Sequence, residues 1–93
     1  MRQPIFIICY DISRATTRRR VSALLEEVMV RVQMSVFEAR LDKNVADRLF
    51  AEASAMVDDG DRLRLYALTS QGLAQSATYG GIPLPEEGGF WLL

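Results

Sequence analysis

The spacing of apolar residues changes several times along the chain, and each change marks an element. Ile5 to Tyr10 form a continuous apolar run rich in Ile, Phe and Tyr. That pattern predicts a buried strand. Val21, Leu24, Leu25 and Val28 then fall at i, i+3, i+4 and i+7, one stripe of a helix of about four turns. Ser13, Thr16 and Thr17 offer its N-caps. Period 2 returns in RVQMSVFEARL, residues 31–41, where Val32, Met34 and Val36 share one face and Phe37, Ala39 and Leu41 the other. The phase flips between Val36 and Phe37, which requires a bulge, a bend or a very tight hairpin. One bent strand and two strands both satisfy this.

A second helix follows, with Asp42 or Asn44 as cap and Val45, Leu49, Phe50, Ala53, Met56 and Val57 as its stripe. Gly60 sits where a helix C-terminal residue of positive φ belongs. In RLRLYAL, residues 62–68, Leu63, Leu65 and Ala67 share one face, and Arg62, Arg64, Tyr66 and Leu68 the other. With two strands in 31–41, the order is βαββαβ, an α+β ferredoxin-like sandwich. Both helices then cover one sheet face and leave the other free for a second sheet or a ligand. Residues 1–78 make up this domain. From residue 69 onward the composition shifts: five of the six Gly, two of the three Pro, no Lys or Arg, and a terminal Phe90-Trp91-Leu92-Leu93. That apolar cluster predicts that 79–93 are a C-terminal strand or arm packing on a partner protomer, with docking on its own domain as the alternative.

Length narrows the picture. Ninety-three residues suit one domain, in which assembly adds useful burial. The run from Ile5 to Tyr10 is too short to span a bilayer and lacks the marks of a secretory signal, so the expected location is cytoplasmic, with no membrane partner. Cys9 is the single cysteine and histidine is missing, which excludes an internal disulfide, Cys/His zinc sites and any histidine base. Chemistry falls to carboxylates, hydroxyls, Arg, Lys or a metal. The net charge of −1 hides an asymmetry. Residues 1–40 carry seven Arg against four acids, +3; residues 41–93 carry four basic residues against eight acids, −4. Arg18, Arg19 and Arg20 lie in the first turns of the first helix, where positive charge opposes the helix dipole and invites an anion.

Asp11 is the acid that stands apart, because it follows the buried run directly. Strand ends place functional groups on a rigid scaffold. The plainer reading is a turn cap, or an ion pair with Arg14 or Arg18. A single Asp is also a sparse site for Mg²⁺, which takes one or two carboxylates plus waters and phosphate oxygens. A twofold dimer supplies two copies if the strand ends meet at the axis. Tyr10 reads as a core aromatic or a phosphate-contacting hydroxyl, Ser35 as a turn residue, Gln33 and Glu38 as strand surface polars, and Cys9 as a small buried hydrophobe.

YDI, then RRRVSALLE, then RVQMSVFEARL resemble the small CRISPR-associated Cas-two family, and GGIPLPEEGGFWLL resembles the ending of one bacterial branch of it. The RVQ-x-SVFE segment is the most specific part. The chain departs from the family at Val28-Met29, where members often have an aromatic-glycine pair. The resemblance implies a ferredoxin-like homodimer with sheets packed face to face and C-terminal strands crossing to the partner. It implies a role in CRISPR adaptation, with the dimer bridging two dimers of the integrase subunit and supporting protospacer DNA. It also implies metal-dependent endonuclease activity in some members, on RNA or double-stranded DNA, with Asp11 matching the Mg²⁺ ligand. Tyr10, Arg18, Arg19, Arg31, Ser35 and Phe37 match motif positions. On this reading Asp11 is the catalytic and metal residue, and Arg14, Arg18, Arg19 and Arg31 grip the nucleic-acid backbone. The competing reading is a ferredoxin-like interaction or regulatory module without nuclease activity.

Overall fold

The computed structural model describes residues 3–84. Its elements are β1 (Ile5–Asp11), α1 (Ala15–Leu25), β2 (Val30–Gln33), β3 (Val36–Arg40), α2 (Lys43–Ser54), β4 (Arg62–Leu68) and α3 (Ser70–Ala74). The four strands form one antiparallel sheet in the order β2-β3-β1-β4. This is the expected split βαβ arrangement, with the apolar first strand at a central position.

Register sorts the residues by face. Phe6 and Ile8 of β1 stand opposite Ala39 and Phe37 of β3. Ile8 and Tyr10 stand opposite Leu65 and Leu63 of β4. This face packs under α1 and α2, where Val21, Leu25, Ala46, Leu49 and Ala53 complete the core. The opposite face carries Ile7, Cys9, Asp11, Val36, Glu38, Arg62, Arg64 and Tyr66; α1 and α2 pack on the other side, and at one end of this face the Leu68 side chain meets Gly72 of α3 and Ile5 is buried. The expectation that the two long helices cover one sheet face holds.

The phase flip at 31–41 resolves as two strands. Gln33 pairs with Val36 across the two-residue turn Met34-Ser35, so the hairpin is tight. Arg31 then pairs with Phe37, which leaves Val32 as an extra residue in β2. No non-glycine residue among those described has positive φ, so this turn is not the type I′ that matches strand twist. The bulge at Val32 supplies that twist instead.

Four local expectations are corrected. Helix α1 stops at Leu25, so Val28 lies outside it and is exposed. Its N-cap position is Arg14, with no side-chain cap from Ser13, Thr16 or Thr17. Gly60 has φ of +89° as expected, but α2 ends at Ser54, and the glycine serves the turn closed by Asp61 N–H donating to the Asp58 carbonyl. The tail begins with a short helix, α3, whose cap Thr69 accepts a hydrogen bond from Gly72 N–H at 3.2 Å. The α2 cap is Asp42, which accepts from Asn44 N–H at 3.0 Å. The Phe90-Trp91-Leu92-Leu93 cluster lies outside the described residues.

Candidate nucleic-acid interface

The site gathers at the C-terminal end of β1. Alternation along the strand sends Tyr10 towards the helices and Asp11 to the free face. Tyr10 stacks on the buried Phe37 ring with centroids 6.1 Å apart. Its N–H donates to the Ser35 carbonyl at 3.1 Å, which ties the β2–β3 turn to the strand end. Asp11 is 74% exposed and stands in register with Arg62, the first residue of β4. Arg62 Nη2 donates to Asp11 Oδ2 at 2.9 Å. The ion pair expected with Arg14 or Arg18 is thus made with a residue 51 positions away.

The arginines divide. Arg18 Nη1 donates to the carbonyls of Ile12 (3.0 Å) and Ser13 (2.8 Å), fixing the loop that follows Asp11. Arg31 Nη1 donates to the Met34 carbonyl at 3.1 Å, its Nε lies 3.4 Å from Glu26, and its guanidinium covers the Phe37 ring at 5.1 Å. Arg19 has no ion-pair partner among the described residues. Arg18, Arg19 and Arg31 line one groove of about 430 Å³ together with Tyr10, Asp11 and Ser35. Arg14 does not line it: its Nε sits 3.8 Å from Asp58.

A second hollow, about 240 Å³, opens on the other side of Asp11. Cys9, Tyr10, Asp11, Arg62, Leu63 and Arg64 line it. Arg64 Nη1 donates to the Tyr66 hydroxyl at 2.7 Å. Arg62 and Arg64 are the site residues that sequence reasoning missed. Alternation in RLRLYAL places them on one face, but only the β1–β4 register brings that face to Asp11.

The donor chemistry for a divalent cation is sparse but suitable. Among the described residues no group of three or more His, Cys, Asp or Glu could hold a metal ion. Mg²⁺ keeps several waters and uses one or two carboxylates with phosphate oxygens. An exposed Asp11, with Oδ2 on Arg62 and Oδ1 accepting nothing among the described residues, fits that donor set. The Arg62 charge opposes it. Exposed ion pairs of this kind are worth about 0–1 kcal/mol, so the opposition is slight.

The family model for the CRISPR associated protein Cas2 matches residues 4–75, which takes in every strand and both long helices. The chain belongs to the Cas2 family. A Thermus thermophilus relative named CRISPR-associated endonuclease Cas2 2 is 36% identical over 87 residues, covering 92% of each chain. The crystal structure of a hypothetical protein from Thermus thermophilus superposes with a TM-score of 0.75 at 35% identity, covering 90% of this chain and 99% of that one. A chain of a partial Cas6-RT-Cas1–Cas2 complex superposes at 0.74 with 25% identity, covering 91% and 100%. No helix of the described residues is long and apolar enough to cross a membrane.

Proposed function

We propose that the chain acts in CRISPR adaptation as a cytoplasmic homodimer that grips the backbone of protospacer DNA and bridges dimers of the integrase subunit. The observation that carries this reading is the convergence of Arg18, Arg19 and Arg31 on one groove at the end of β1. Guanidinium forks fit phosphate oxygens bidentately and position a duplex without reading its sequence. Arg31 is held on three sides, so it meets a phosphate with little further loss of freedom. Kinship with a chain solved in a Cas1–Cas2 complex supports the integrase partner. The dimer draws support from the sheet face that α1 and α2 leave uncovered and from the fully exposed Tyr79. Arg14, which lies outside the groove lining, is the weakest member of the backbone-binding set.

A second reading, nuclease activity on double-stranded DNA or RNA, is favoured by one feature, the exposed Asp11 beside that groove. In a dimer, two Asp11 carboxylates would be the residues that hold one Mg²⁺. The chemistry such an ion would supply is a lowered pKa for a coordinated water and polarisation of a phosphodiester. The chain's own part is to hold the phosphate with Arg18, Arg19 and Arg31.

The two readings separate at Asp11. Asp11→Ala is expected to abolish Mg²⁺-dependent cleavage by purified protein while spacer acquisition in cells largely persists. Cleavage at the parent rate by a contaminant-free variant removes Asp11 as the catalytic ligand. Loss of acquisition with the fold intact contradicts the bridging reading, which does not need that carboxylate.

A further inference from the structure

Arg40 ends β3 at the opposite end of the sheet from Asp11, in one row with Ile5 and Leu68. Its guanidinium is used on one side only. Nη1 donates to the Gln3 carbonyl at 2.8 Å, whereas Nε and Nη2 are shut off from solvent with no hydrogen-bond partner among the described residues. Those two atoms form one edge of the guanidinium, and their N–H bonds point the same way. Such an edge takes a single carboxylate with two parallel bonds. We propose that this edge receives a carboxylate of the Glu86-Glu87 pair from a second copy of the chain, so that two such contacts latch a symmetric dimer. The inference rests on the arm reading given above.

No acid of the described residues answers Arg40. The four ion pairs found there leave it out. Glu38 stands two residues back on the same face, but burial raises its carboxyl without the lowering that a guanidinium in reach imposes. Hydration has also been given up already. Most surface charges lose water when they meet, so their pairing gains little. Here Nε and Nη2 are desolvated in the single chain, where Arg40 stands opposite an Ile5 that is 1% exposed. A docking carboxylate recovers a cost that folding has incurred, and the Gln3 bond holds the fork in place beforehand. Assembly only deepens this burial. The sequence supplies the counter-charge in one place. Residues 69–93 hold two acids, Glu86 and Glu87, side by side, and no Lys or Arg. Eleven residues, 75–85, separate α3 from Glu86, a reach of up to about 36 Å, enough to meet a neighbouring protomer. The Phe90-Trp91-Leu92-Leu93 cluster beyond them brings apolar area without direction, whereas a bidentate ion pair fixes register. A twofold axis makes the contact reciprocal.

Dimer dissociation of the full-length protein, followed by sedimentation over a dilution series, tests this. Arg40→Gln on its own, and Glu86→Gln combined with Glu87→Gln, are each expected to raise the dissociation constant about ten-fold per latch, about a hundred-fold for the dimer. Combining all three substitutions should add little to either loss, since both sides of the same contact are then gone. Circular dichroism checks the fold of each variant. Mixing is the sharper measurement. A heterodimer of the Arg40→Gln chain with the Glu86→Gln, Glu87→Gln chain keeps one complete latch, where either homodimer keeps none. It should form well above its statistical share, roughly ten-fold tighter than the homodimers. A statistical share instead overturns the contact between copies. Losses that simply add overturn the pairing of these residues. The glutamate variant changes no residue of the described core, so parent-like dissociation by it overturns the latch whatever becomes of Arg40→Gln. A chain ending at Thr78 separates this failure from that of the arm reading. If it dissociates as the parent does, the arm does not join the protomers and the latch falls with it. If it dissociates more readily while Arg40→Gln changes nothing, the arm reading stands and the latch alone is refuted.

Discussion

Glu38 sits on the face of β3 turned away from α1 and α2, opposite Ile7 of β1 and Val30 of β2. Burial among these apolar neighbours pushes its carboxyl above the ordinary value of 4.5. The folded state then holds this proton where the unfolded state has released it. Stability therefore falls as pH rises through the window above 4.5, and the penalty stays in place at neutral pH. Glu38→Gln removes it. The variant should be the more stable protein at neutral pH, with the gap closing as pH drops towards 4.5 and below. Urea unfolding across that range checks this, and a gap independent of pH would contradict it. Residue-scale chemistry was partly legible in the sequence. Asp11 stood out because an acid directly after a buried run is conspicuous. Glu38 read as an ordinary strand polar, and only the register reveals its apolar neighbours.

The start of α1 teaches the corresponding lesson for elements. Its sequence offers three local hydroxyl caps, yet none caps the helix, and the contacts that fix the helix start come from the turn before β4. Asp61 Oδ1 accepts from Ser13 N–H at 3.2 Å, and Asp58 Oδ2 accepts from the Thr17 hydroxyl at 3.0 Å. A third bond, from Asp58 N–H to Asp61 Oδ2 at 2.9 Å, holds the two acids together. These carboxylates also answer the helix N-terminal dipole that Arg18, Arg19 and Arg20 oppose. No local pattern could show this, because the partners are 48 and 41 residues apart. The phase flip at Val36–Phe37, by contrast, was legible, because alternation within one hairpin is local. Its resolution into two strands depended on the Gln33–Val36 pairing. Asp58→Ala strands the Thr17 hydroxyl, which is 4% exposed, and should cost about 1–2 kcal/mol. For a domain of this size each kcal/mol lowers Tm by roughly 4–8 °C. Thr16→Ala, which removes a hydroxyl that caps nothing here, should stay within about 0.5 kcal/mol. Thermal unfolding at one fixed protein concentration compares them, and equal losses would remove Asp58 as the group that holds this helix start.

At the scale of the whole molecule, the charge distribution and the tail bear on the same question. A chain of net charge −1 does not attract DNA as a whole; its first forty residues, at +3, must do so locally. One groove offers three arginines, a short run of phosphate contacts. Pairing two protomers doubles that number without adding a residue to either chain. Each phosphate neutralised adds about 0.9 to the slope of log affinity against log salt on double-stranded DNA. Assembly is thus written into the salt dependence. If residues 79–93 join the protomers, a chain ending at Thr78 should sediment as a weaker dimer and bind DNA with about half the parent slope. Arg19→Ala in the full-length chain should lower the slope by about 0.9 per protomer, since Arg19 is held by no acid among the described residues. Arg14→Ala should leave it nearly unchanged, because Arg14 lies outside the groove. Fluorescence anisotropy over a salt series, with sedimentation on the same samples, reads all three. A truncated chain that keeps both its dimer and its slope would place the interface elsewhere, on the helix-free sheet face alone. A truncated chain that stays dimeric but loses half the slope would show instead that the arm itself touches DNA. That outcome would be unexpected for a segment with two acids and no basic residue.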